Sequence, residues 1–265
     1  AGQIDVVLCC GGSATDLQQQ VPEVAQLFNT VDTFDNHARI PEYFAAVDEV
    51  ARASGHLSMI SSGWDPGLFS LNRLLFEAVL PQGKTTTFWG RGVSQGHGDA
   101  IRRVKGVKDA KQYTVPVDAA LEAAMTGDRR ELTSRQSHTR ECFVVAEEGA
   151  DLEQIRHDIV TMPNYFEPYD TTVTFITAEE LARDHAGMPH GGTVIRSGNT
   201  TAENLQVTSF QLALDSNPEF TGSVVVASAR AVARMAGEGR TGAISILDVP
   251  PAYLSPKSAE ELRKN

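Results

Sequence analysis

Residues 4–34 read IDVVLCCGGSATDLQQQVPEVAQLFNTVDTF, and the period of their apolar pattern changes twice. IDVVLCC (4–10) is a short unbroken apolar run, as a strand buried on both faces requires. GGSATD (11–16) has turn composition. DLQQQVPEVAQLFN (16–29) then sets Leu17, Val21, Val24 and Phe28 on one helical face, and NTVDTF (29–34) returns to a strand. Strand, helix and strand in so short a span make a βαβ unit, whose strands lie parallel.

Working outward, PEYFAAVDEVARASG (41–55) gives a second helix, with Pro41 in its first turn and Gly55 at its end. HLSMISS (56–62) gives a third strand. This alternation predicts a parallel sheet with helices on both faces. Ligands of such sheets bind beyond the carboxyl ends of the strands. The loops GGSATD (11–16), TFDNH (33–37) and SGWDPG (62–67) should therefore converge on one edge.

From about residue 84 the pattern changes. Candidate strands KTTTFWG, AKQYTVPV, HTRECFVVAE, TTVTFIT and TVIRSG are joined by candidate helices near 97–104, 117–126, 151–162 and 179–186, which predicts a second, α+β domain. GSVVVASARAVARMAGEG (222–239) has the character of a buried helix ending at Gly237, and a Pro-containing tail follows that is expected to pack back on the first domain.

Composition narrows the function. With 41% hydrophobic and 22% charged residues, and no apolar run of membrane-spanning length, the chain reads as soluble. A formal charge of -11 argues against nucleic acid; the basic cluster Arg102, Arg103, Lys105, Lys108 and Lys111 reads as a solvated face. Cys9, Cys10 and Cys142 cannot build a disulfide framework, which points to a reducing cytoplasm. No metal-ligand spacing occurs, so no metal is expected. A Gly-rich GxGxxG turn is also missing: WGRGVSQG (89–96) holds a GxG but lacks its context. The sequence opens on AGQIDVV without Met, and an N-terminal portion is expected to precede it.

Chemistry can be carried by a few groups. Asp32, Asp35 and Asp65 place carboxylates at the ends of two strands, where neighbours can jointly hold an ammonium. Asp65-Pro66 equally has the N-cap and N1 signature of a helix start. Trp64 and Trp89 suit either a core or a pocket wall. SQGHGD (94–99) suits backbone contact with a carboxylate or a plain tight turn. Arg140 could grip a carboxylate bidentately or lie at the surface, and His190 in GMPHGG (187–192) could bind an anion or sit in solvent.

Taken together, GSATD (12–16), TVDTFDNH (30–37), SGWDPG (62–67), FWGRGVSQGH (88–97), QYTVP (112–116), HTREC (138–142), MPHGG (188–192) and NPEFT (217–221) resemble the meso-diaminopimelate D-dehydrogenase family. The resemblance spans nearly the whole chain. It implies an α/β fold: a Rossmann-like parallel sheet, incomplete at its N-terminus, plus an α+β substrate and dimerisation domain. The implied domains are 1–83, the remainder of the dinucleotide-binding domain; 84–215, substrate binding and dimerisation; and 216–265, packing back on the first.

The implied reaction is reversible NADP-dependent oxidative deamination of the D-centre of meso-2,6-diaminopimelate, in lysine biosynthesis, by a cytoplasmic homodimer. By position, the resemblance assigns Asp35 and Asp65 to the D-centre amine as catalytic residues. Trp89 becomes a pocket wall, and Gln95 and Gly96 meet the carboxylate at the reacting end. Thr114, Arg140, His190 and Asn217 clamp the distal L-centre. Cys10, Gly11, Gly12, Ser13, Thr33, Phe34, Asp35, Ser62, Gly63, Trp64, Asp65 and Pro66 lie along the cofactor. Two alternatives remain at this stage: an oxidoreductase for another amino dicarboxylate, and a non-catalytic substrate-binding remnant.

Overall fold

A computed structural model describes residues 3–264; the expected N-terminal extension lies outside them. The first third holds β1 (Val6–Cys9), α1 (Leu17–Ala25), β2 (Asn29–Asp32), α2 (Ile40–Ser54), β3 (Leu57–Met59) and α3 (Leu68–Val79). The three strands pair in parallel, Val7 beside Thr30 and Val31 beside Met59. As expected, every turn from strand to helix falls at one edge.

The middle of the chain runs through β4 (Gly83–Trp89), β5 (Gly92–Val93), α4 (Gln95–Arg102), β6 (Val107–Pro116), α5 (Asp118–Met125), α6 (Ser134–Ser137), β7 (His138–Ala146), α7 (Leu152–Val160), β8 (Asp170–Phe175), α8 (Ala178–Asp184), β9 (His190–Asn199) and β10 (Leu205–Leu214). These strands form two sheets, in the orders β10-β9-β4 and β5-β6-β7-β8. All pairs are antiparallel except β7 with β8. The candidate strands and helices of this region are all present. β10 was not anticipated, because most of its residues are exposed and its apolar signal is weak.

α9 (Asn217–Gly237), β11 (Gly242–Ile244) and α10 (Ala259–Leu262) complete the chain. β11, also unanticipated, pairs in parallel with β3 and extends the first sheet to β1-β2-β3-β11. Consecutive residues of β11 show how both faces are buried. Ala243 joins Cys9, Leu17, Val21, Tyr43 and Val47 under α1 and α2, whereas Ile244 joins Val31, Leu57, Met59, Val225 and Val232 under α9. Each fully buried aliphatic side chain contributes about 1.5–3 kcal/mol, so both helical layers are held by burial rather than by helix propensity. The chain resolves into two compact units, one built from residues up to Leu75 together with those from Glu219 onward, the other from Phe76–Pro218.

Candidate active site

In the first unit the predicted residues gather at the carboxyl ends of β1, β2 and β3. The Asp35 N–H donates to Ser13 Oγ at 3.0 Å, tying the second loop to the first. Cys10 and Gly12 are exposed on the first loop, and Gly11 and Ser13 half-buried. Asp35 itself is exposed.

Asp32, one of three carboxylates weighed as able jointly to hold an ammonium, has a structural role instead. Its side chain is fully buried. Oδ1 accepts the N–H groups of Phe34 and Ser61, each at 2.9 Å, and Oδ2 accepts the Tyr43 hydroxyl at 2.8 Å. It therefore stitches the loop after β2 to the loop after β3. Burial outweighs these hydrogen bonds and pushes its carboxyl up to about 6. An Asp inside an otherwise apolar strand was the signal for this role.

The loop after β3 is closed by backbone. Gly67 has φ 133°, and a Cβ there would lie 1.8 Å from the Gly63 carbonyl oxygen. Only glycine fits this approach. The loop also corrects the N-cap reading of Asp65. The helix begins at Leu68 rather than after Asp65, and Asp65-Pro66 is a cis bond. The Asp65 side chain, 3% exposed, is gripped by both terminal nitrogens of Arg73 at 2.9 Å. Trp64 packs edge-on against Phe69, a core position, and Ser62 Oγ donates to Ser228 Oγ at 2.7 Å.

The second unit gathers the remaining candidates around β5 and β6. Strand register sets Gly92, Thr114, Arg140 and Thr171 in one row across four strands. Within the row, Arg140 Nη1 donates to Thr114 Oγ1. Arg140 was weighed as a surface residue, yet it is buried, its guanidinium 3.9 Å from the Tyr169 ring centroid. Burial lowers its pKa, but guanidinium stays charged. Among the described residues no carboxylate pairs with it, and its Nε has no hydrogen-bond partner.

Residues 188–191 run alongside. Val93 N–H donates to the Pro189 carbonyl and Gly90 N–H to the Gly191 carbonyl, both at 2.9 Å. This places the His190 ring over Gly92, where any Cβ would come within 2.4 Å of it. Burial lowers the pKa of His190, so the ring is neutral near pH 7. Met188 joins two more candidates: its carbonyl accepts the Asn217 N–H at 2.9 Å, and its sulfur lies 3.7 Å from Gln95 Nε2. Gln95 and Gly96 sit exposed in the first turn of α4.

Trp89 is 39% exposed at the end of β4, and its N–H donates to His138 Nε2 at 2.9 Å. That contact requires a neutral His138, in keeping with burial and the nearby Arg140 cation, which push its pKa down to about 4. His138 was missed as a positioning residue, although it shares the HTREC segment with Arg140. Among the described residues no group of His, Cys, Asp or Glu could hold a metal ion, and no helix is long and apolar enough to cross a membrane.

Comparison with known proteins gives these residues a context. Residues 63–216 match the model of the diaminopimelic acid dehydrogenase C-terminal domain. The meso-diaminopimelate D-dehydrogenase of Ureibacillus thermosphaericus is 59% identical over 99% of this chain and 80% of its own length. A crystal structure of a mutant meso-DAP dehydrogenase from Clostridium tetani E88, with DAP, superposes with a TM-score of 0.95 at 57% identity, covering 99% of this chain and 81% of that one. That mutant replaces a Gln, a Thr, an Arg, a Pro, a His and an Asn; the same six residue types stand at the same spacings here, as Gln95, Thr114, Arg140, Pro189, His190 and Asn217. Of these only Pro189 was not singled out from sequence. An engineered D-amino acid dehydrogenase bound to NADP+ superposes with a TM-score of 0.86 at 45% identity, over 99% of this chain and 82% of that one. The chain belongs to the meso-diaminopimelate D-dehydrogenase family.

Proposed function

We propose that this chain catalyses the reversible NADP-dependent oxidative deamination of the D-centre of meso-2,6-diaminopimelate, giving L-2-amino-6-oxopimelate and ammonia, a reaction of lysine biosynthesis. The observation that carries this reading is Arg140: a buried guanidinium stacked on Tyr169, held by Thr114, and paired with no carboxylate among the described residues. A cation removed from water is costly unless an anion meets it. A substrate carboxylate supplies that anion, in the bidentate geometry arginine favours.

The two ends of the substrate have the same composition and opposite chirality, so oxidation at one end requires that the other be held by unlike, non-reacting contacts. Thr114, Arg140, His190 and Asn217 take the L-centre. Gln95 and Gly96 take the carboxylate at the D-centre, Trp89 walls the chain between, and Asp35 and Asp65 take the amino group. The amine must be neutral for its lone pair to assist departure of the hydride, so the carboxylates orient it while it sheds a proton.

The loops bearing Gly11, Gly12, Ser13, Thr33, Phe34, Ser62 and Gly63 fit a dinucleotide in shape. They are short, rich in small residues, and placed at the carboxyl edge of a parallel sheet. When bound, NADP accepts the hydride. Exposed Leu205 and Val207 on the edge strand β10 fit a homodimer, which sedimentation equilibrium would check. Absorbance of NADPH tests the activity directly. Turnover of the meso isomer and not the LL isomer is expected; silence with both from a folded chain overturns the reading.

A further inference from the structure

Gln112 lies on β6 between two residues already described. Ala110, Gln112 and Thr114 share one face of the strand, since side chains alternate along it. That face carries the Thr114–Arg140 pair. Gln112 stands opposite Cys142 and diagonal to Arg140, a separation of about 7–8 Å that long side chains can span. It is fully buried, and neither Oε1 nor Nε2 finds a hydrogen-bond partner among the described residues. Leaving both ends of a buried carboxamide unused costs stability that a Met of similar volume would not. Gln112 also lines an open cavity of about 230 Å³ together with Gln95, Asp99, Arg102 and Met188. Of the charged residues on that wall, which include Lys111, Arg102 donates to the Ala110 carbonyl at 2.9 Å and to Asp99.

An α-amino-acid head group presents a carboxylate and an ammonium together. Arg140 has donors only, and the Thr114 oxygen already accepts one of them. Nδ1 of His190 lies 2.8 Å from its neighbour's N–H, that of Gly191. An ammonium beside Arg140 therefore needs acceptors that the guanidinium cannot supply, and the carboxamide of Gln112 offers an acceptor and a donor at once, as does that of Asn217 among the L-centre residues. We propose that Gln112 binds the amino-acid head of the substrate's L-centre, Oε1 accepting from the ammonium and Nε2 donating to the carboxylate that Arg140 grips. This rests on the assignment of Thr114 and Arg140 to the L-centre, and it makes Gln112 a residue that selects substrates bearing a second amino-acid head.

The test compares Gln112→Met, Gln112→Glu and Arg140→Met with the parent chain, using KM and kcat for meso-diaminopimelate, its calorimetric Kd, and the thermal midpoint. Gln112→Met is expected to raise KM and Kd about 10- to 100-fold, to leave kcat within about twofold, and to leave the midpoint equal or higher. Gln112→Glu keeps an acceptor but sets a negative charge against the carboxylate, so it too should weaken binding; it serves alone if the Met variant does not fold. Unchanged KM and Kd in a folded variant, while Arg140→Met binds weakly, overturn the role of Gln112. Weaker binding matched by a comparable fall in the midpoint also overturns it, as a purely structural role. Unchanged binding in Arg140→Met removes the L-centre assignment itself, and this inference falls with it.

Discussion

Arg73 holds the carboxylate of Asp65 with both of its terminal nitrogens, each 2.9 Å from a different oxygen, although the two residues belong to a loop and to the helix that follows it. The loop that carries the proposed amine ligand is thereby fixed to the framework.

Substituting either partner should separate anchoring from catalysis. Arg73→Met removes a charge-assisted pair that is partly exposed on the arginine side, so a loss of about 1–2 kcal/mol in urea unfolding is expected. Arg73→Lys should recover only part of it, because lysine cannot fork. Asp65→Asn should lower kcat/KM far more than it lowers stability. A purely structural loss in that variant would remove Asp65 from the site.

Stability should depend on Asp32 through pH. Its carboxyl is raised from the ordinary 3.8 to about 6 by burial, so between those values the folded chain keeps a proton that the unfolded chain has lost. The contribution of this group therefore favours folding at low pH and declines as pH rises through that window, by about 3 kcal/mol. Asp32→Asn can keep the acceptor for Phe34 and Ser61 and turn its amide toward Tyr43. Unfolding free energies measured from pH 4 to 7 should fall less steeply in that variant than in the parent; parallel profiles would contradict the assignment.

Arg140→Met should raise KM for meso-diaminopimelate about 100-fold while leaving thermal stability equal or higher, since a buried cation gives way to an apolar side chain of similar length. Steady-state kinetics and calorimetry in parallel decide it. A fall in stability with KM intact would make Arg140 a structural residue.

Gly92→Ala should displace the His190 ring, which a new Cβ would approach to 2.4 Å. Overpacking of this kind costs about 1–3 kcal/mol, and substrate affinity should fall with it. The alanine variant retaining parent affinity would show that His190 takes no part in binding.

The parallel sheet could be read in advance because β1, β2 and β3 announce themselves as apolar runs between helical periods; β2 and β3 are buried on both faces, whereas β1 leaves Leu8 40% exposed, against the expectation of a strand buried on both faces. β10 could not, since its exposed edge alternates too weakly, and three-residue β11 lies in a segment dominated by the helix before it. The site shows the same division. Arg140 reads locally as a surface charge, yet its alternation with His138 and Cys142 in HTREC places all three on the buried face, a signal visible in the sequence. The pairing of Asp65 with Arg73 carries no such signal, because a proline after an aspartate predicts a cap whether or not the helix starts there. Gln112 went unremarked because its significance lies in the hydrogen bonds it does not make.

The row Gly92, Thr114, Arg140, Thr171 is drawn across strands rather than along one, so its members are far apart in the gene and adjacent only through register. A single deletion inside β6 or β7 would turn alternate side chains to the other face and abolish the row while sparing the sheet. Point exchanges within it, by contrast, leave the backbone as it is. Substrate range in this chain can thus drift by replacing side chains one at a time, whereas changes in length are barred from these strands and confined to the loops between them.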